Sequence, residues 1–240
     1  MKSLNQYIKE KLIINKDYHD SNIVIKSFDE LRKIIEDRYD KLGAGTKQDP
    51  IDFNDIDVSN MDSFCNDKGK GIFHETKFKY IDISDWDVSN IKSMRGMFHH
   101  CEKLKSIGDL SNWDTSNVTD MNSMFLYCKS FSQDISGWDV SNVTNMEFMF
   151  CGCEYFNQDL SSWDVLNVTD MGSMFQDCIS FNKNLSNWDV SSVKDMSFMF
   201  YWCKSFNQDI SNWNVSSVTD TKHIFGLCPI KEEYKPKFKK

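Results

Sequence analysis

From Trp86 onward the apolar positions of this chain recur as a block. With few exceptions the block reads Trp, Val, Val, Met, Met, Phe, Cys, Phe and then Ile or Leu, with Asp, Ser, Asn and Thr between them. Trp113, Trp138, Trp163, Trp188 and Trp213 follow one another at 25 residues, and four units from Trp113 to Asn212 keep strict register. Trp86 opens a unit of 27 residues and Ile56 a degenerate one of 30, interrupted at Asn66 to Gly71. A last unit, Trp213 to Cys228, is cut short and carries Thr221 where methionine is expected. A fixed period of this length marks a stack in which each unit buries its apolar face only against its neighbours, with loosened units at the ends as caps.

Within a unit, the run from Phe156 to Ser161 sets one aliphatic residue among polar ones and predicts a short strand. Trp163, Val165 and Val168 continue as an extended, inward-facing segment. Thr169 and Asp170 supply an N-cap and an acid for a helix start. Met171, Met174, Phe175 and Cys178 then fall at i, i+3, i+4 and i+7, one face of a helical turn. The expected unit is therefore strand, extended segment, helical turn.

Ahead of the repeats the pattern changes. Ser27-Phe28-Asp29-Glu30 is a capping-box sequence, and Leu31, Ile34, Ile35 and Leu42 share one helical side until Gly43 ends it. That helix is expected to cover the apolar end of the first unit, with Ile23-Val24-Ile25 as a small strand before it. Residues 4 to 14 form a separate amphipathic stretch, with Leu4, Tyr7, Ile8 and Leu12 apolar. The expected organisation is an amphipathic leader at 1–22, a helical cap at 23–55, about seven repeat units at 56–228 and a basic tail at 229–240, read as a solvated terminus.

Composition adds bounds on partners. The chain is 40% hydrophobic and 14% aromatic, a globular balance that the repeats turn into one elongated domain. No apolar run approaches the roughly 20 residues of a membrane span. From Trp86 to Cys228 there are 17 acidic and 9 basic residues while the remainder balances, so the net charge of −8 lies in the repeats. That disfavours nucleic acid, whose affinity rests on Lys and Arg neutralising phosphates. Cys101, Cys128, Cys153, Cys178, Cys203 and Cys228 share one column, with Cys65 and Cys151 outside it. Side chains at equivalent positions of parallel units point the same way, so the column reads as small buried filling rather than as disulfides.

The repeated string WDVSNVTDM, then MF, Cys and FNQDIS, resembles the 25-residue repeat of the BspA-like, mycoplasma-lipoprotein-type surface proteins, a divergent branch of the leucine-rich repeats. The likeness covers Ile56 to Cys228, and the segment Phe28 to Leu42 with the Asp-Phe-Asn-Asp-Ile-Asp-Val-Ser-Asn after it resembles the leading cap of such proteins. The resemblance implies an α/β repeat solenoid, a leucine-rich-repeat-like right-handed coil of short parallel strands and short helices behind an N-terminal helical cap. It places Gln158-Asp159-Leu160 and its equivalents in a parallel sheet, and it implies binding or adhesion rather than catalysis. Family members are often exported or lipid-anchored. This sequence departs from them in showing no signal-peptide pattern or lipidation cysteine, so a cytoplasmic or virion-associated location is the default expectation. The opening MKSLNQYIKEKLIINKD resembles leaders on proteins encoded by gut bacteriophages.

Candidate chemistry is sparse. His99, His100 and Cys101 are adjacent but lack the second pair that makes a zinc spacing convincing. No metal, cofactor or catalytic constellation is expected. The aspartate columns could line a calcium ladder, yet Asn145, Asn184 and Asn214 interrupt them, keeping the side-chain oxygen without the charge. Turn hydrogen bonding explains that exchange more simply. Positions that vary while the scaffold holds are better candidates for a partner: Tyr127, Phe148, Phe198, Tyr201 and Trp202, together with Asp134, Asp159 and Asp209. The aromatics are either exposed anchors or packing across a neighbouring unit. The expected function is a non-enzymatic binding scaffold for a protein or a cell-envelope glycan. The alternative is a phage virion or assembly component docked by its leader.

Overall fold

The computed structural model of the protein describes residues 23–238, so the amphipathic leader lies outside the described residues. In chain order it contains β1 (Ile23–Val24), α1 (Phe28–Leu42), β2 (Ile51–Asp52), β3 (Ile56–Asp57), β4 (Ile81–Asp82) and a 3-10 turn at Glu232–Tyr234. β1 pairs in parallel with β3, placing Ile23 beside Ile56, and β2 with β4, placing Ile51 beside Ile81. From Ile83 to Lys231 there is no helix and no strand. Order there comes from contacts between units.

The run Met121 to Cys128 shows how. Met121, Ser123, Phe125 and Tyr127 donate their amides to the carbonyls of Asn145, Glu147, Met149 and Cys151 in the next unit, at 3.0, 2.8, 3.0 and 2.7 Å. The alternate amides of Met124, Leu126 and Cys128 turn back to carbonyls three residues earlier, at 3.2, 3.2 and 2.8 Å. Parallel bridges join Asp120, Asn145, Asp170, Asp195 and Asp220 in one column. The Met171–Cys178 run expected as a helical turn is therefore a chain of β-turns, and Gln158–Leu160 is not a strand. A helix of two turns is marginal by itself, whereas a neighbouring unit offers a carbonyl to every second amide. The i, i+3, i+4, i+7 spacing still turns Met171, Met174, Phe175 and Cys178 inward, all fully buried.

Each inward column packs on itself. Phe98, Phe125, Phe150, Phe175, Phe200 and Phe225 stack with centroids 5.5 to 5.9 Å apart. Phe131, Phe156, Phe181 and Phe206 form a second stack at 6.0 to 6.3 Å. The cysteine thiols donate to phenylalanine carbonyls of the preceding unit, as Cys153 does to Phe125 at 3.1 Å and Cys178 to Phe150 at 3.0 Å. All eight cysteines are free. Indole amines of Trp163, Trp188 and Trp213 bond back to Ile135, Leu160 and Leu185 in the same way. Trp138 is the exception, a buried indole without a partner.

α1 closes the front of the stack. Ser27 Oγ accepts from Glu30 N at 3.2 Å and Glu30 Oε2 accepts from Lys26 N at 2.9 Å, a capping box shifted by one residue. Gly43, at φ 79°, ends the helix by donating to Tyr39 O. The buried face consists of Leu31, Ile35 and, unannounced by the apolar pattern, Arg38. Arg38 grips Asp55 through two bonds of 2.7 and 2.6 Å in a buried pair, which ties the helix to the loop between β2 and β3. Arg32 does a second job. Its Nη1 donates to Ile72 O at 2.8 Å and His74 O at 2.9 Å. Their equivalents one unit on, Met97 O and His99 O, receive the amides of Phe73 and Glu75. Arg32 thus stands where a preceding unit would donate.

Two irregular segments are accommodated at the edges. Asn66 to Gly71 leaves the first unit as a loop closed by Asn66 and Lys70 and by a bridge from Cys65 to Gly71. The tail is not a solvated terminus. Ile230 is buried, Tyr234 and Phe238 pack on the core, and Ile210 N donates to Tyr234 O at 3.0 Å.

Two outcomes follow for stability. Phe175→Ala, in the middle of the main stack, is expected to cost about 3–5 kcal/mol in urea unfolding, the usual penalty for an unfilled aromatic site. Arg32→Ala is expected to cost about 1–3 kcal/mol by leaving two carbonyls unpaired. Its amide-exchange losses should be confined to the first unit; losses spread evenly along the chain would refute the capping role.

Candidate functional site

The turn runs build the most distinctive surface of the molecule. Each run needs two left-handed residues, at the second and sixth positions after the first methionine. In the first column these are Gly96, Ser123, Phe148, Ser173, Phe198 and His223, and in the second His100, Tyr127, Gly152, Asp177, Trp202 and Leu227. All have φ between 52° and 74°. Turns with a left-handed third residue favour glycine or asparagine there, and a bulky side chain at such a φ stores of order 1–3 kcal/mol of strain. Only two of these twelve positions are glycine, while six carry an aromatic or imidazole ring.

Those rings gather in two groups. Toward the front, His74 and His99 lie 4.9 Å apart, His99 and His100 4.4 Å, and His100 stacks on Tyr127 at 4.8 Å. Tyr127 is 36% exposed and lies across Gly152, where an added Cβ would come within 2.5 Å of the ring. Tyr127 and Phe148 also share a shallow cleft of about 280 Å³ with Arg95, Asn122 and Glu147. Asn122 Nδ2 donates to Glu147 Oε2 at 2.9 Å, and burial, helped by Asp170, pushes that carboxyl above its usual range. Toward the back, Phe198 contacts Tyr201 at 5.7 Å and His223 at 5.2 Å. Lys222 Nζ lies over Phe198 and Lys204 Nζ over Trp202, which is 42% exposed. Tyr201 covers Gly226 as Tyr127 covers Gly152. Tyr127, Phe198 and Tyr201 thus pack across a neighbouring unit, while Tyr127 and Trp202 are open to solvent. The unit between the groups carries Ser173, Gln176 and Asp177 instead.

The candidate aspartates belong elsewhere. Asp134, Asp159 and Asp209 are exposed, and each Oδ1 accepts the amide two residues on, from Ser136, Ser161 and Ser211 at 2.9, 2.9 and 3.0 Å. Asn184 makes the same Asx turn to Ser186 at 2.9 Å, which is why asparagine can replace aspartate in the column. Asp134 lines a cleft with Asp109 and Gln133, and Asp209 one with Asn184 and Gln208, neither containing a candidate aromatic. The structure therefore joins Tyr127 with Phe148, and Phe198 with Tyr201, but sets the aspartates apart. His74, His223, Arg95, Glu147, Lys204 and Lys222 join the aromatic face without having been singled out, and His100, weighed in the sequence only as a metal ligand, joins it through Tyr127. Their signal in the sequence was only that they depart from the block at turn positions.

No convergent donor set forms around the His99-His100-Cys101 triplet. Cys101 Sγ donates inward to Phe73 O at 2.9 Å while the two imidazoles stack outside. Among the described residues no group of three or more His, Cys, Asp or Glu could hold a metal ion, and no helix is long and apolar enough to cross a membrane. Burial pushes the thiols of Cys128, Cys153, Cys178 and Cys203 well above their usual range, and that of Cys151 to about 12.

Acid should loosen the stack in two stages. Burial, reinforced by His100 and His74, holds His99 down at about 4, so its contribution is present above its unfolded value of ~6.5 and lost as pH falls toward about 4. The amide and hydroxyl of the serine two residues on hold Asp134, Asp159 and Asp209 below the usual carboxylate range. Their contribution is present above ~3.9 and lost below it. Half-buried Asp170 and Glu147 are raised by desolvation and oppose this trend. Thermal midpoints measured from pH 7 to 3 should fall in both windows. His99→Phe should flatten the first and the triple Asp134→Asn, Asp159→Asn, Asp209→Asn variant the second; unchanged slopes would remove these groups as the cause.

Comparison with known proteins completes the picture. No curated protein and no solved structure matches the chain. The family described as "Mycoplasma protein of unknown function, DUF285" matches twice, over residues 66–171 and 128–234. The two matches overlap and together take in most of the repeats and well over half of the chain, so the protein belongs to this repeat-containing Mycoplasma family.

Proposed function

We propose that the chain is a leucine-rich-repeat-like, right-handed solenoid serving as a non-enzymatic binding scaffold, and that its turn face recognises a protein or a cell-envelope glycan. The observation that carries this reading is the placement of rings at left-handed turn positions. Glycine would satisfy the stack at Tyr127, Phe148, Phe198 and Trp202 with no strain, as it does at Gly96 and Gly152. The buried column of Phe150, Phe175 and Phe200 is complete without these rings, whose contacts lie on its outside. Half-exposed aromatic rings held on a stiff backbone lose little entropy when they are covered, and Tyr and Trp are enriched among residues that dominate binding energies. Lys204 and Lys222 beside the rear group add a local positive charge to a surface that is otherwise acidic.

The test separates folding from recognition. Phe198→Gly with Trp202→Gly relieves two strained positions, so stability in urea should stay within about 1 kcal/mol of the parent or rise. Binding to purified cell-envelope glycans, or cross-linking to envelope proteins, should fall at least about tenfold, a loss of ~1.4 kcal/mol. Equal binding by parent and double variant would overturn the role of the turn face.

A further inference from the structure

The turn ladder has a direction, and it runs out at the last unit. In the four units opened by Met121, Met146, Met171 and Met196, the amides of that methionine and of the residues two, four and six beyond it donate to the following unit at 2.7 to 3.0 Å. The same positions of the last unit are Thr221, His223, Phe225 and Leu227. None of their amides has a hydrogen-bond partner among the described residues. The carbonyls of Thr221, His223 and Phe225 are already used, accepting from Ile224, Gly226 and Cys228 at 3.3, 2.9 and 3.2 Å. What remains is a row of donors on alternate residues. The tail covers the apolar end of the core but leaves this row open. A cleft of about 440 Å³ lies between them, with Thr221, Ile224 and Phe225 on one side and Glu232, Lys235 and Phe238 on the other.

We propose that this edge docks an acidic polypeptide segment of a partner protein folded as the turn run of one more unit, held by its main-chain carbonyl oxygens with an apolar side chain in the cleft. Three observations select that occupant. Donors on alternate residues, with no free acceptors between them, call for a segment that turns its carbonyls to one side, and every internal unit fills the same row with such a run of turns. A second copy of the chain is a poor fit, because the matching carbonyls at its front, Ile72 O and His74 O, are taken by Arg32. Two rear edges would set donors against donors. Charge supplies the third observation: Lys222, Lys231, Lys235 and Lys237 outnumber Asp220, Glu232 and Glu233 here, in a chain whose net charge is −8. This inference does not depend on the aromatic rings and goes beyond the reading built on them.

Residue-resolved amide hydrogen exchange on the full chain tests it, with a synthetic peptide of the sequence NVTDMGSMFQDCIS, residues 167–180, as the probe. In the stack that segment presents the carbonyls of Asp170, Gly172, Met174 and Gln176 to the unit before it, and it carries two aspartates among apolar residues. In the free chain the amides of Thr221, His223, Phe225 and Leu227 should exchange at least about 100-fold faster than those of Met196, Phe198, Phe200 and Trp202. The peptide should slow these four saturably, by about tenfold or more, and a scrambled peptide should not. The proposal is overturned if the four amides are already protected in the free chain, or if no slowing appears up to about 1 mM peptide. It is also overturned if raising the concentration of the chain alone slows them while the protein sediments as a dimer.

Discussion

A 25-residue unit folded as consecutive left-handed turns closes only half of the hydrogen bonds its turn run requires, and the other half must come from the unit beside it. Met146, Phe148, Phe150 and Gly152 have amides aimed out of their own unit, and only the carbonyls of Asp170, Gly172, Met174 and Gln176 meet them. Unpaired backbone groups are costly once buried, so the register between units is fixed before any side chain is considered. The columns follow from it. A phenylalanine placed at one turn lies directly over its copy in the next, and the cysteine, tryptophan and asparagine side chains reach back to carbonyls of the preceding unit.

Such a ladder has two unlike ends. At the front it presents carbonyls, and Arg32 of α1 covers two of them; at the back it presents amides, and the tail covers only the apolar core. A side chain from a helix can donate to stacked carbonyls because arginine carries several donors on a long stem. The tail offers its own backbone to Ile210 and to the Asn207 side chain instead, several residues away from the turn row. The asymmetry of the ends is thus a consequence of the single direction in which the turn amides point.

The surface divides in a related way. Where aspartates recur, their side chains fold back onto the next amides and complete turns, a local duty that asparagine can share. Where the turn run demands a left-handed residue, the stack specifies only the backbone angle, and the side chain is free to differ from unit to unit. Ser173 and Asp177 meet the requirement cheaply; Phe198 and Trp202 meet it under strain. The proposed recognition surface is the set of places where chain geometry is dictated and side-chain chemistry is not.

By itself the sequence determined the period, the register of four units, the inward columns, the helix at Phe28 to Leu42 with its caps, and the family resemblance. All of these rest on local spacing or on repetition, which are written in the order of residues. It misassigned Met171 to Cys178 as helical, because i, i+3, i+4 and i+7 describes the inward side of a two-turn helix and of a turn ladder equally well. Only the tertiary structure decided between them, by supplying a carbonyl in the next unit for every second amide. The same step turned Phe148, Phe198, Tyr127 and Trp202 from variable positions into strained ones, and placed Arg38 and Arg32 at the front of the stack. A residue's backbone angle and the distant carbonyl it serves depend on which unit lies beside it, and that information exists only once the chain has stacked.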